Sequence, residues 1–258
     1  MTTSRVRLCG VSIDPTTEEA VCDRVATALR HGTGGLIVTA NLDHVRRLNA
    51  GDPMAPAYAR ADLVLADGAP LVWAARLQGT PLPGRVAGSD LLWSLSAVAA
   101  RLGLPITLVG GSPGSADAAG RRLREHAPGL TVAATLCPTL SALPSTEETS
   151  ALADEVTKSG GAIVFTGLGS PKQELVNLVL VDRQPGCWHI GVGAAIDMAA
   201  GLVSRAPLWA QRSGLEWVFR LAQEPGRLTR RYLVDDLPFA ARLFASAARG
   251  RWRPDGDG

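Results

Sequence analysis

Short apolar runs alternate with longer amphipathic segments along the chain from Leu36 to Trp188. An apolar run of this kind bounded by turn residues is typical of a buried strand, whereas the amphipathic segments are long enough for helices. The alternation predicts an α/β fold with a doubly wound, mostly parallel sheet and helices on both faces. The predicted strands are residues 36–39, 63–66, 106–109, 130–134, 162–166 and 188–192.

Capping residues predict where several of the helices begin and end. Thr16 and Thr17 ahead of Glu18-Glu19 indicate a helix start, and His31-Gly32 indicates its end. The same signals predict helices from Ser89-Asp90 to Gly103, from Ser112-Pro113 to Pro128-Gly129, and from Ser145 to Ser159 ahead of Gly160-Gly161.

The pattern changes after Asp197, where the strand signals stop. Pro225-Gly226 predicts a break between consecutive helices. We therefore expect an α/β domain at residues 1–200, a C-terminal helical appendage at 201–250 and a disordered tail at 251–258. Arginines recur in the appendage, at Arg205, Arg212, Arg220, Arg227, Arg230 and Arg231.

The charge is small overall but unevenly distributed. Of the 258 residues 46% are hydrophobic and 19% are charged, which indicates a globular protein, and the net charge of +2 argues against a nucleic-acid partner. From Gly201 onward ten arginines against six acidic residues give +4, so residues 1–200 carry −2. Arginine suits bidentate phosphate contacts better than lysine does.

The cysteines and the apolar runs point to a cytoplasmic chain. Four widely spaced cysteines without a C-x-x-C pair predict reduced, buried thiols: Cys9, Cys22, Cys137 and Cys187. The N-terminus lacks a signal-peptide pattern, and no apolar run approaches the ~20 residues that span a bilayer. Any membrane contact is therefore expected to be peripheral.

A carboxylate ends the second predicted strand, in Ala61-Asp-Leu-Val-Leu-Ala-Asp67-Gly68. Ligands bind at the carboxyl ends of the strands in an open parallel sheet. Asp67 there could accept a proton from a substrate hydroxyl. Asp before Gly is also a common turn or helix-cap pair, so spacing alone leaves both interpretations open.

Polar residues follow the first predicted strand and precede the Ser89 helix. Thr39 and Asn41 offer a hydroxyl and an amide that could bind sugar hydroxyls, but Asn41 could equally be a helix N-cap. Arg85 lies in a turn, where its side chain could contact a phosphate or simply be a solvated surface group.

Glycine-rich turns follow two further strands. The backbone N–H groups of Gly110 and Gly111 could bind a phosphate at a helix N-terminus, or form a tight turn without a ligand. No G-x-G-x-x-G is present and no acid follows the next strand, which counts against a nicotinamide dinucleotide. Asp197, after Gly191-Val-Gly193, could accept from a ribose or base, or be a helix-interior acid.

The segment Gly167-Leu-Gly-Ser-Pro-Lys-Gln-Glu174 resembles a helix start. Ser170 as N-cap and Gln173 three residues later predict a capping box. Lys172 does not fit this interpretation, because a cation in the first turn opposes the helix dipole. An anionic ligand at that helix end would remove the mismatch.

Metal-ligand patterns are weak in this sequence. The four histidines have no ligand spacing, and the D-x-D Asp255-Gly-Asp257 falls in the expected tail. We therefore expect no metal ion, and a nucleotide diphosphate would have to be stabilised by arginines, Lys172 and helix N-termini.

Taken together, the motifs form an ordered series over roughly residues 11–239 that resembles the WecG/TagA/CpsF glycosyltransferase family. Besides those quoted, the series includes Arg85-Val-Ala-Gly88, Arg205-Ala-Pro-Leu-Trp209, Gly214-Leu-Glu-Trp217, Arg220-Leu-Ala-Gln-Glu-Pro225 and Arg230-Arg-Tyr232. The resemblance implies a Rossmann-like domain with a C-terminal helical appendage, and no divalent metal.

The resemblance further implies that this protein is an inverting, membrane-associated cytoplasmic enzyme that acts in surface-polymer synthesis. Such enzymes transfer a sugar from a UDP-sugar to a polyprenyl-diphosphate-linked sugar and form a β bond. The best-known members transfer N-acetylmannosamine, or its uronic acid, to undecaprenyl-diphosphate N-acetylglucosamine.

The resemblance also assigns roles by motif position. It implies that Asp67 is the general base. Thr39, Asn41, Arg85, Gln173 and Asp197 would be active-site and substrate-binding positions. Gly110, Gly111 and Lys172 are candidate phosphate-binding positions on the evidence of their own motifs, not of the resemblance. The acceptor diphosphate would be bound by Arg220, Arg227 and Arg230 of the appendage.

The other appendage residues have a less specific interpretation. We expect Arg205, Arg212 and Arg231 to lie on a solvated or lipid-facing surface. Trp209, Trp217 and Trp252 beside these arginines suit the headgroup layer of an anionic bilayer, although Trp209 or Trp217 could instead pack onto the core.

Two alternatives from other classes remain at this point. One is a nucleotide-cofactor oxidoreductase on a similar sheet, and the other is a non-catalytic scaffold of a membrane polymer-assembly complex. The oligomeric state is open as well, since apolar surface on the appendage could favour a homo-oligomer.

Overall fold

The computed structural model describes residues 4–204, 206–207, 209–210, 214–223 and 225–251, without the side chains of Arg227 and Arg251. Several predictions fall outside these residues: those for Arg205, Arg212, the Arg227 side chain, Trp252 and the tail 252–258.

Six parallel strands form the central sheet, in the order β4-β3-β8-β7-β5-β6. All six predicted strands are confirmed, with ends that differ by up to two residues. Their bounds are β3 Gly35–Ala40, β4 Leu63–Ala66, β5 Ile106–Gly110, β6 Val132–Leu136, β7 Ile163–Gly167 and β8 Trp188–Gly191. The shift is largest for β6, because Leu130 belongs to the preceding turn, where its N–H bonds to the Ala127 carbonyl.

A short antiparallel pair, β1 (Val6–Leu8) and β2 (Val11–Ile13), precedes the sheet and was not predicted. Each strand has three residues, too few to show a clear period of two. The pair still contributes Leu8 and Ile13 to the core, both at most 1% exposed.

Helices cover both faces of the sheet, as predicted. One face carries α1 (Glu18–Arg30), α5 (Gly88–Leu102), α6 (Ser115–His126) and α9 (Ala195–Ala200), whose apolar side chains share one cluster. The other carries α2 (Leu42–Asn49), α3 (Ala55–Arg60), α4 (Ala69–Gln78), α7 (Thr146–Ser159) and α8 (Lys172–Arg183).

The capping predictions hold in part. Thr17 caps α1, and Ser145 forms a capping box with Glu148 at the start of α7. In contrast, α5 and α6 begin after Ala87 and Gly114, because neither Ser89 nor Ser112 caps the helix that follows it. The thiols are free as predicted, but Cys137 is exposed and the other three are half-buried, so the prediction of buried thiols was wrong.

After β8 the described residues form only helices and turns. Beyond α9, the helices are α10 (Glu216–Gln223), α11 (Pro225–Thr229), a π-helix (Arg230–Asp236) and α12 (Leu237–Arg251). Helix α12 packs on α4 and buries Phe239, Leu243 and Ala247 in the same cluster as β1, β2 and α2. Within the described part of the chain, no helix is long and apolar enough to cross a bilayer.

Candidate active site

The carboxyl ends of β3, β4 and β8 form one edge of the sheet. In register, Thr39 of β3 lies opposite Leu65, and Ala40 lies opposite Ala66, so Asp67 emerges beside the end of β3. The helices that follow β3 and β8 pack on opposite faces of the sheet. The two strand ends therefore form a topological switch point, the usual ligand position in a doubly wound sheet.

Asp67 is held at this edge by backbone contacts on both sides. Its N–H donates to the Ala40 carbonyl at 2.7 Å, and the chain then turns away at Gly68, whose φ of 135° favours glycine. Gly68 is the N-cap of α4, and no side chain caps that helix. The cap interpretation of Asp67 is therefore wrong, and its carboxylate accepts from the Gly88 N–H instead.

The carboxyl group of Asp67 has an unusual proton affinity. Burial among protein atoms raises its pKa to about 6, although the side chain keeps some surface exposure. Arg85 and Arg220 oppose this rise in pKa, and Glu216 adds to it. A carboxylate with such a pKa binds a proton more strongly than an ordinary Asp and is still ionised near neutral pH, which suits a general base.

Arg85 is an ion-paired residue, so the solvated-surface alternative was wrong. Its Nη1 donates to Glu216 Oε2 at 2.5 Å, and its Nη2 donates to Asp90 Oδ2 at 3.3 Å. The Arg85 and Glu216 side chains are 19% and 22% exposed. Helix α10 of the appendage therefore reaches the sheet edge beside Asp67.

Thr39 and Asn41 are both fixed by backbone contacts. The Thr39 hydroxyl donates to the Gly191 carbonyl at 3.2 Å. Asn41 is the N-cap of α2, where its Oδ1 accepts from the His44 N–H at 3.0 Å, so the capping alternative is confirmed for that oxygen. Gly88 lies close by, because a Cβ there would be 3.1 Å from the Val192 Cα and 3.6 Å from the Thr39 hydroxyl.

Gln173 is buried and does not cap α8. Its Oε1 accepts from the Gly193 N–H at 3.0 Å, and its Nε2 donates to Glu174 Oε1 at 2.9 Å. A Cβ at Gly191 would lie 2.7 Å from the same Nε2, so the amide fits only beside glycine. Gln173 thus holds the turn that follows β8.

The predicted capping box at Ser170 was wrong. Pro171 is the N-cap of α8, and the Ser170 hydroxyl donates to the Met54 sulfur at 3.3 Å. Lys172 donates to the Leu140 carbonyl at 3.2 Å, a protein acceptor at the helix end. An anionic ligand is therefore not needed to account for Lys172.

The Gly110-Gly111 turn is held by the neighbouring strand ends. A Cβ at Gly110 would lie 2.5 Å from the Gly167 carbonyl oxygen, and the Gly111 N–H donates to the same carbonyl at 2.9 Å. Asp197 accepts from the Ser112 N–H at 2.7 Å. Asp197 lies inside α9, so the helix-interior alternative is confirmed, and its carboxylate has a protein partner.

The appendage arginines are placed differently from one another. Arg220 lies near enough to Asp67 to lower its pKa, and its buried Nε has no hydrogen-bond partner among the described residues. Arg230 is exposed. Arg231 was expected on the solvated surface, but it pairs with buried Asp43 at 3.3 Å and with Asp236 at 3.6 Å.

The structure thus brings Thr39, Asp67, Arg85 and Arg220 together at one edge of the sheet. Gln173 is connected to them through the end of β8, since it accepts from Gly193 while Thr39 donates to Gly191. Lys172 instead reaches toward the loop before α7. Sequence reasoning gave no role to Gly88, Glu174 or Glu216, although each belongs to a quoted motif. The first-turn acid in Gly214-Leu-Glu-Trp217 was the available signal for Glu216.

Comparison with family models places the whole fold in a known group. Residues 6–253 of the 258 match the model described as the Glycosyl transferase WecG/TagA/CpsF family. The match includes the six-stranded sheet, Asp67 and the C-terminal helices. The chain therefore belongs to the WecG/TagA/CpsF family of glycosyltransferases.

Proposed function

We propose that this glycosyltransferase moves a sugar from a UDP-sugar to a polyprenyl-diphosphate-linked N-acetylglucosamine, with inversion to a β bond. N-acetylmannosamine or a related sugar is the proposed donor group, and a cell-surface polymer is the proposed product. The position and the pKa of Asp67 support this proposal most directly. Asp67 lies at a strand end beside Arg85 and Arg220, and its pKa is raised to about 6.

In the proposed reaction Asp67 removes the proton from the acceptor hydroxyl. The freed oxygen forms a bond to the anomeric carbon as the bond between that carbon and the UDP oxygen breaks, and the electron pair leaves with UDP. Inversion requires that Asp67 and UDP lie on opposite sides of the sugar. Burial of the carboxyl group helps, because its raised proton affinity strengthens the base.

Positive groups would stabilise the two diphosphates of the substrates. For UDP we propose Arg85, with Thr39, Asn41, Gln173 and Asp197 as positions around the substrate. The turn at Gly110 and Gly111 is a weaker candidate, because the Gly111 N–H already donates to the Gly167 carbonyl. Lys172 is a weaker candidate because of its Leu140 contact. For the acceptor diphosphate we propose Arg220, Arg227 and Arg230.

We further propose that the enzyme works without a metal ion or cofactor at the cytoplasmic face of the plasma membrane. The exposed apolar side chains of the appendage support this location, since Trp209 is 66% exposed and Trp217 is 40% exposed. The expectation that one of them packs in the core is therefore wrong.

A donor panel tests the proposal. Purified enzyme is incubated with a short-chain polyprenyl-diphosphate N-acetylglucosamine and several UDP-sugars, with and without EDTA, and UDP release and product mass are measured. We expect one UDP-sugar to give a product heavier by one sugar, equally with EDTA. No transfer from any UDP-sugar would refute the donor class, and loss of transfer with EDTA would refute metal independence.

A further inference from the structure

Glu216 begins α10 and joins that helix to the turn before α5. Its carboxylate accepts from Arg85 at 2.5 Å. The same guanidinium also donates to Asp90 of α5, at 3.3 Å. Arg85 is therefore held between two carboxylates, one on the catalytic domain and one on the appendage, and both contacts are only partly exposed.

The charges around Asp67 come from several elements. Arg85 in the turn before α5 and Arg220 of α10 are positive, and Glu216 of α10 is negative. The Gly88 N–H, at the start of α5, donates to the carboxylate. Burial raises the pKa of Tyr58 of α3, and the negative charge of Asp67 adds to this rise. Glu216 therefore acts on Asp67 directly, by charge, and indirectly, through its hold on Arg85.

We propose that Glu216 is a positioning residue of the active site, which fixes the Arg85 guanidinium and places a negative charge beside Asp67. With Glu216 in place, Asp67 is a stronger base than it would be beside Arg85 alone. This inference rests on the proposed role of Asp67 as the base.

Asp90 provides a matched control for Glu216. Both carboxylates accept from Arg85, but only Glu216 is among the charges that raise the pKa of Asp67. A merely structural tether would make the loss of either carboxylate equivalent. A direct electrostatic role predicts that only the loss of Glu216 changes the pH dependence.

The test compares pH–rate profiles of the wild type, E216Q and D90N over about pH 4.5–8.5. Transfer requires ionised Asp67, so the rate falls as the pH drops through its pKa. Removal of a negative charge lowers that pKa, and we expect the acidic limb of E216Q to move to lower pH by roughly half a unit. The acidic limb of the D90N profile should stay at the same pH as in the wild type, while the maximal rate of D90N falls because Arg85 is less well held.

The outcomes separate this inference from the proposed function. Activity of D67N close to the wild type would refute the base, and the inference with it. Two outcomes with inactive D67N would refute the inference alone. In one, the acidic limb of the E216Q profile coincides with that of the wild type; in the other, the acidic limb of D90N moves as far as that of E216Q. Thermal unfolding of each variant confirms folding, and E216D, which keeps the charge, should keep the wild-type limb even if E216Q is unstable.

Discussion

At the scale of single residues, Gln173 shows how tertiary contacts override a local signal. The spacing from Ser170 predicts a capping box, yet the amide bonds to Gly193 and Glu174 instead. A carboxylate only accepts and a backbone N–H only donates, so the two partners fix the orientation of the amide. Glu174 is 3% exposed, and its Oε2 has no hydrogen-bond partner among the described residues.

Substitution of Glu174 tests whether it acts as the acceptor for Gln173. E174A leaves the Gln173 Nε2 buried without a partner, and we expect a loss of about 1–3 kcal/mol of unfolding free energy together with slower transfer. E174Q still offers an acceptor oxygen of the same shape, so its stability and rate should stay near the wild type. Urea unfolding and initial rates measure both, and equal losses in the two variants would contradict the assignment.

At the scale of elements, four charged residues join α2 to the π-helix. Arg46 donates to Asp43 at 2.6 Å and to Asp236 at 3.3 Å, and Arg231 contacts the same two carboxylates. Both acids are at most 6% exposed. Burial and the neighbouring Asp43 raise the pKa of Asp236 to about 6, so the two arginines only partly offset the cost of burying both charges.

Removal of Arg231 should destabilise the protein in a pH-dependent way. R231A leaves Arg46 and the more distant Arg47, 3.9 Å from Asp43, beside two buried carboxylates. We expect a loss of roughly 1–3 kcal/mol at pH 8, less than for a fully buried pair because Arg231 is partly exposed. Because the folded pKa of Asp236 is raised to about 6, protonation relieves the repulsion below that pH, and the loss should shrink at pH 5.

Chemical denaturation of R231A at pH 5 and pH 8 measures this difference. R230A is the matched control, since Arg230 is the neighbouring residue of the π-helix and is exposed. We expect R230A to lose little stability at either pH. A loss for R231A that is the same at both values, or no larger than that of R230A, would contradict the account.

The six sheet strands could be predicted because each is an apolar run between turn residues, and their parallel order follows from the intervening helices. The strand-end position of Asp67 followed from the same pattern. Its contacts could not be predicted: the Gly88 N–H and the Glu216 side chain reach the edge through long-range packing that has no local signal. Arg231 was misplaced for the same reason, since its acidic partners include Asp43, distant in sequence.

At the scale of the whole molecule, apolar surface is concentrated in the appendage. Among the described residues, eight of the ten exposed large hydrophobic side chains lie between Leu202 and Leu237. A patch of this kind beside arginines favours an anionic membrane surface. Deletion from Gly201 onward should abolish membrane binding and lipid-acceptor activity, but it would also remove the buried side chains of α12, so surface substitutions give a sharper test.

The variants V234E and L237E test the membrane surface without touching the core, since these side chains are 63% and 60% exposed. Loss of about 1 kcal/mol of apolar burial for each should weaken binding to phosphatidylglycerol vesicles about 5-fold per substitution. L143E is the control, because Leu143 is 61% exposed but lies outside the appendage. Vesicle sedimentation measures binding, and equal weakening by L143E would contradict the assignment.

Asp67 is the base of the proposed reaction, and D67N tests this role most directly. Burial raises the pKa of Asp67 to about 6, so the ionised carboxylate lowers stability as the pH rises toward that value, and Asn should fold at least as well. The measurement is the rate of sugar transfer to the lipid-linked acceptor at pH 8 by folded D67N and wild-type enzyme. We predict a loss of at least about 10²-fold, whereas transfer close to the wild-type rate would contradict the account.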